Sequence, residues 1–107
     1  MSLNNLIEST LEPIGIPVSF QTYPGEETTY ITYFEYNQRG ALFAEDEEKR
    51  TAYSIQVDVW SQVDYTDVVK QVKSKLKATG FIRQYEGEIY EDETETYHKI
   101  LRFNYAQ

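Results

Sequence analysis

One histidine, no cysteine and 18 carboxylates are what this 107-residue chain offers for chemistry. Four of the carboxylates are consecutive: Glu45, Asp46, Glu47 and Glu48. Consecutive carboxylates point in different directions, whereas a calcium loop spaces its oxygen ligands around a central glycine, and that pattern is missing. The run reads as a solvated acidic segment. His98 falls in a segment of strand character. Without cysteine or a second histidine it does not anchor a zinc site, and no local motif supplies a nucleophile for it to activate. The five glycines sit singly at turn-like positions, so neither a dinucleotide fingerprint nor a P-loop is present. These residues lead us to expect no catalytic residue, no metal and no cofactor.

Aromatic side chains raise a different possibility. Tyr30, Tyr33, Phe34 and Tyr36 are close enough in sequence to form a stacking platform for single-stranded nucleic acid. Such a platform needs a basic groove, and only Arg39, Lys49 and Arg50 are near it in sequence. The net charge of −8 opposes phosphate binding further. Core and interface packing is the better account of these rings, and no specific nucleic-acid binding is expected.

The element best able to position side chains is the stretch 51–81. Tyr53, Ile55, Val57 and Val59 alternate with Ser54, Gln56, Asp58 and Trp60, the period-two pattern of a half-buried strand. After a short connection, Tyr65, Val68, Val69, Val72 and Leu76 recur at helical spacing and form one apolar stripe. Asp64 suits the N-cap, and Asp67 adds negative charge to the first turn. Lys70, Lys73, Lys75 and Lys77 lie largely outside the stripe, toward the C-terminal end. Gly80 supplies the left-handed residue that stops the helix, with Phe81 folding back onto its last turn.

Around this unit, residues 2–11 predict a short amphipathic helix with Leu3, Leu6, Ile7 and Leu11 on one face, ended by Pro13. Residues 18–23 predict a strand, with a turn at Pro24-Gly25. Residues 28–37 predict a second strand, with Tyr30, Phe34 and Tyr36 on one face and Ile31 and Tyr33 on the other. Aromatics on both faces leave open which one is core. Residues 81–91 and 96–105 read as the arms of a hairpin. The order is helix, two strands, a long loop, strand, helix, two strands: an α+β fold with a mixed or antiparallel sheet and its helices mainly on one face.

At this length we expect one domain. No apolar run approaches the roughly 20 residues needed to span a bilayer, and the N-terminus has no secretory pattern. Absence of cysteine suits synthesis in a reducing compartment. Residues 38–50 are longer than an ordinary hairpin loop, and loops of that length tend to be functional or disordered. The residues alone favour a mobile loop in which Leu42 and Phe43 act as a small tether. The alternative is an arm that packs on a neighbouring subunit.

The strand Tyr53-Ser54-Ile55-Gln56-Val57-Asp58-Val59-Trp60-Ser61, the helix after it and a final Lys99-Ile100-Leu101-Arg102-Phe103-Asn104-Tyr105 occur in an order and at a length that resemble a known family. It is that of the small tail-completion and head–tail joining proteins of long-tailed bacteriophages and prophages, including tail terminators of the lambda type. The likeness covers most of the chain, including the N-terminal helix and the Tyr23-Pro24 turn. It implies an α+β virion protein without catalytic residues, made in the host cytoplasm and assembled, commonly as a hexameric ring, at the head-proximal end of the tail tube. Its partners would be copies of itself, tail-tube proteins and the head connector, with neither membrane nor nucleic acid bound specifically. On this reading Leu42 and Phe43, with Glu45, Asp46, Glu47 and Glu48, belong to a protein interface. The other expectation, from a different class, is a cytoplasmic protein-binding module using the aromatic strand or the acidic segment.

Overall fold

The computed structural model describes residues 2–44 and 47–106, and of residues 37–44 and 47–51 it describes the backbone alone. Helix α1 (Leu3–Leu11) runs into a 3-10 turn (Glu12–Ile14), followed by β1 (Val18–Phe20), β2 (Tyr30–Ala44) and β3 (Glu47–Ser61). Helix α2 (Thr66–Thr79), β4 (Ile82–Glu91) and β5 (Thr96–Ala106) complete the order. The five strands form one sheet, β1-β2-β3-β5-β4. Strand β1 is parallel to β2 and every other pairing is antiparallel, so the fold is α+β with a mixed sheet.

Both helices start and stop where local chemistry directs. The Ser2 hydroxyl accepts from the Asn5 amide at 3.1 Å and caps α1, satisfying one of the amides that a helix start leaves unpaired. At α2 the formal N-cap is Tyr65, whose side chain makes no capping bond. The work is done one residue earlier: the Asp64 carboxylate accepts from the Thr66 amide at 3.0 Å and from the Thr66 hydroxyl at 2.7 Å. Those two bonds hold the Asp64 carboxyl below its ordinary value, the hydroxyl's being the larger effect. Gly80, at φ 108°, closes α2 in the left-handed conformation, which a side chain would strain. The Phe81 amide then donates back to the Leu76 carbonyl at 2.9 Å.

One face of the sheet makes the core. The register aligns Ile31 with Val59 and Tyr33 with Val57, then Val57 with Leu101 and Ile55 with Phe103. All of these are buried, in one cluster with Leu3, Ile7 and Leu11 of α1 and Val69, Val72 and Leu76 of α2. Ile31 and Tyr33 of β2 and Ile55, Val57 and Val59 of β3 therefore face the helices. That resolves the strand whose two aromatic faces the sequence leaves open: Ile31 and Tyr33 point inward, while Tyr36 on the other side is 45% exposed.

Residues 38–50 depart from the expected loop. Strands β2 and β3 stay paired through Gly40–Thr51, Leu42–Arg50 and Phe43–Glu48 to Ala44–Glu47, with register shifts along the way. Strand β5 leaves β3 at Ala52–Ala106, and β1 leaves β2 at Phe20–Tyr33. Beyond Gly40 and Thr51 the two strands pair with no third strand among the described residues. They form an arm about 16 Å long at ~3.3 Å per residue. Fifteen-residue strands explain why the molecule measures 52 Å along its long axis but 25 and 24 Å across. The first strand is shorter than expected, ending at Phe20 rather than Tyr23.

Candidate functional site

Three surfaces differ from an ordinary solvated exterior: the face of the sheet away from the helices, a groove beside α2, and the arm. No described helix packs over the first. Its side chains come from Tyr30 and Thr32 of β2, from the even-numbered residues 54–60 of β3 and 98–104 of β5, and from Tyr85 and Ile89 of β4. The register sets Tyr30 opposite Trp60 and Trp60 opposite His98, and the rings stack in that row. Tyr23 lies over Tyr30 at 4.6 Å, Tyr30 beside Trp60 at 6.0 Å, and Trp60 against His98 at 3.6 Å and 13°. Partial burial beneath these neighbours pushes the Tyr30 hydroxyl above its ordinary value.

The next rows of the same face are polar and joined. Asp58 is only 3% exposed. One of its oxygens meets His98 Nε2 at 2.7 Å and accepts from Gln56 Nε2 at 2.9 Å. Gln56 in turn accepts from Arg102 Nε at 3.0 Å. The Arg102 guanidinium sits over the Tyr36 and Tyr85 rings, 5.3 Å from each centroid, a cation–π arrangement. The Trp60 indole N–H donates to the Thr32 hydroxyl at 3.0 Å. The buried carboxylate is thus matched by donors, as a charge in a poorly solvated place must be.

Chemically, an Asp–His pair can move a proton or activate a nucleophile. Among the described residues the hydrogen bond of the His98 ring goes to Asp58, and no hydroxyl is bonded to the ring to act as a nucleophile. The pair lies within a network whose rings stack on one another, which fits a packing role for His98. No group of three or more His, Asp or Glu able to hold a metal occurs among the described residues.

The second surface lies between α2 and β4. A groove of about 620 Å³ is lined by Lys70, Lys73, Ser74, Lys77 and Arg83, with Phe81, Ile82 and Phe103. At its edge Glu86 collects three cations: Lys73 Nζ at 3.1 Å and Arg83 Nη1 at 2.7 Å on one oxygen, and Lys99 Nζ at 2.9 Å on the other. Lys99 and then Lys73 hold its carboxyl down at about 2, against an ordinary 4.5. Nearby, the Tyr65 hydroxyl donates to Glu88, and burial followed by that carboxylate raises its pKa. Tyr33 donates to Glu8 of α1 in the same manner, again with burial as the larger cause of a raised pKa.

The arm holds the residues that the sequence nominated for an interface. The backbones of Leu42, Phe43, Glu47 and Glu48 stand in the last pairs of the β2–β3 ladder, while their side chains lie outside the described residues. Glu45 and Asp46 lie outside them entirely. Two features escaped the reading of the sequence. One is the Asp58–His98 pair, although both residues are even-numbered members of strands whose alternation is plain. The other is the convergence of the α2 lysines on Arg83, for which the helix's lysine-rich side was the available signal.

Neither a protein-family model nor a curated protein matches the sequence. Its fold has a solved counterpart. The chain is similar to one in the virion of the native gene transfer agent (GTA) particle, with a TM-score of 0.57 and 10% sequence identity. The match takes in 92% of this chain and 81% of that one. At this identity the likeness is one of fold. No described helix is long and apolar enough to cross a membrane.

Proposed function

We propose that this chain is a structural virion protein of a phage or prophage. In this reading it acts in tail completion and head–tail joining at the head-proximal end of the tail tube, through ring assembly and protein contacts. The observation that carries the reading is the fold shared with a virion chain over nearly the whole length. Fold alone does not imply function, but two further features agree. The sequence pattern of β3, α2 and β5 resembles the head–tail joining proteins. The molecule also extends a two-stranded arm that no third strand flanks among the described residues, and a lone hairpin is at best marginally stable in water, so contact with a partner would stabilise it.

A ring that DNA crosses must not hold the genome through phosphate contacts, and a net charge of −8 suits that requirement. The protein would be made in the host cytoplasm and end in the tail of the particle. Leu42, Phe43, Glu45, Asp46, Glu47 and Glu48 would contribute to contacts with a neighbouring copy, the tail tube or the connector. Removing residues 41–48 tests this. The shortened chain is expected to fold but to yield no joined heads and tails in a particle assembly assay. Infectious particles at the normal titre would overturn the assignment of these residues to that interface.

The alternative, a cytoplasmic protein-binding module, draws on the uncovered sheet face, where Tyr36, Tyr85 and Ile89 are each about half exposed. Neighbouring genes for tail-tube and connector proteins would favour the virion reading, and their absence the module.

A further inference from the structure

The end of the sheet at which α2 begins carries a concentrated negative charge. The register sets Tyr30 across from Trp60, Ser61 across from Tyr97, and Tyr97 across from Tyr90. Residues 23–31, 60–67 and 88–98 therefore meet there, and the Gln62 amide joins two of them by donating to the Thr94 carbonyl at 3.3 Å. These three segments hold nine of the chain's 18 carboxylates and none of its lysines or arginines. The partial positive charge at the start of α2 is outweighed, since Asp64 and Asp67 stand beside it.

Within this end lies a groove of about 420 Å³, lined by Gln62, Val63, Asp64, Tyr65, Glu88 and Tyr97. Val63 is 61% exposed and Tyr97 41%. The Tyr97 ring packs against Tyr65 at 6.0 Å and against Tyr90 at 4.8 Å. The Tyr65 hydroxyl occupies one oxygen of Glu88, and Thr66 occupies one oxygen of Asp64. The second oxygen of each carboxylate has no partner among the described residues. Lys70, Lys73 and Lys99 line a separate hollow that shares Tyr65 and Glu88, and there Glu86 engages Lys73 and Lys99.

The chain itself shows what completes such a set. On the uncovered face the Arg102 guanidinium lies 5.3 Å from the centroids of both Tyr36 and Tyr85, and the Gln56 oxygen accepts from its Nε at 3.0 Å. The groove offers the same surroundings, tyrosine rings and acceptor oxygens, with no cation of this chain among its lining residues. Of the two arginines whose side chains are described, Arg102 is held on that face and Arg83 by Glu86, so neither is free to fill it.

We propose that this groove receives an arginine side chain of a protein partner, its guanidinium over the Tyr97 ring and its N–H groups donating to Glu88 and Asp64. The stem would lie along Val63. Arginine suits the place better than lysine, because its planar, weakly hydrated head stacks on an aromatic face while bonding a carboxylate. The inference goes beyond the role in the particle, since it names the chemistry of a partner's side chain whichever assembly the chain joins.

The test is a titration of the whole, isotopically labelled protein with a blocked leucine–arginine dipeptide, followed by amide NMR. The amides of Val63, Tyr65, Glu88 and Tyr97 are expected to shift together along one saturable curve, and added salt should weaken the binding. Glutamine in place of arginine should bind about tenfold more weakly or worse, and lysine severalfold more weakly. Val63→Lys, at an exposed position, puts a cation into the groove and should abolish binding with the fold intact. Glu88→Gln should weaken it about tenfold. By contrast Glu93→Gln, at the same end but outside the groove, should change it by less than about twofold.

Equal binding of the glutamine dipeptide overturns the proposal. So does equal weakening by Glu88→Gln and Glu93→Gln, which would mean attraction to the acidic end as a whole. A dipeptide that shifts none of these amides overturns it too. None of these results bears on the assembly assay with residues 41–48 removed, so either reading can fail alone.

Discussion

Strands β2 and β3 pass through two environments, and the contrast between them explains much of the molecule. In the body of the sheet β3 lies between β2 and β5, helices cover one face, and Ile31, Ile55, Val57 and Val59 are wholly buried. In the arm the same two strands pair only with each other among the described residues. The body must alternate apolar and polar residues, because one face meets a core and the other does not. The arm is flanked by no third strand among the described residues, and its sequence does not alternate in that way.

The largest effect should come from opening the body. Phe103 is 1% exposed and packs edge-on against Phe81, so Phe103→Ala is expected to cost about 3–5 kcal/mol, read from urea unfolding. A loss below about 1 kcal/mol, the size of an ordinary surface change, would place that residue outside the core. Next comes the uncovered face, where Asp58→Ala leaves His98 and Gln56 without their acceptor. A destabilisation of about 1–3 kcal/mol is expected. The one tryptophan, Trp60, stacks on His98, and its emission should shift in the same variant. Unchanged emission would mean that the ring row stands without the Asp58 bond.

A smaller effect is expected from acid. Glu86 is held at about 2 in the folded chain, against an ordinary 4.5, so the folded state binds its proton less readily than the unfolded state. The stability this adds is fully present above about pH 4.5 and declines as pH falls toward and through about 2. Glu86→Gln should flatten that part of the stability–pH curve, and an unaltered slope would show that Lys99 and Lys73 contribute little there. Least of all should the body notice loss of the arm. Removing residues 41–48 is expected to change unfolding free energy by no more than about 0.5 kcal/mol. A larger loss would make the arm part of the fold and erase the contrast.

The same contrast sets how much was legible beforehand. The β3–α2 unit could be read because burial imposes a period: Val57 and Val59 on the strand, Val69, Val72 and Leu76 on the helix. The order of elements and the α+β class followed from it. The arm read as a loop because Gln38-Arg39-Gly40-Ala41-Leu42-Phe43-Ala44 has no alternation, the signal by which a half-buried strand is recognised. The pairing of Asp58 with His98 needed a register between strands forty residues apart, which a single-strand pattern does not contain. The basic groove likewise needed α2 and β4 to be brought side by side.

Strand β4 has a consequence of its own. It borders the sheet over ten residues, and an uninterrupted border of that length is a template on which further chains can zip. Here its pairing with β5 skips a step between Arg83 and Tyr85, and Arg83, Glu86 and Glu88 put ionic groups along it. A border both kinked and charged resists endless stacking into fibrils.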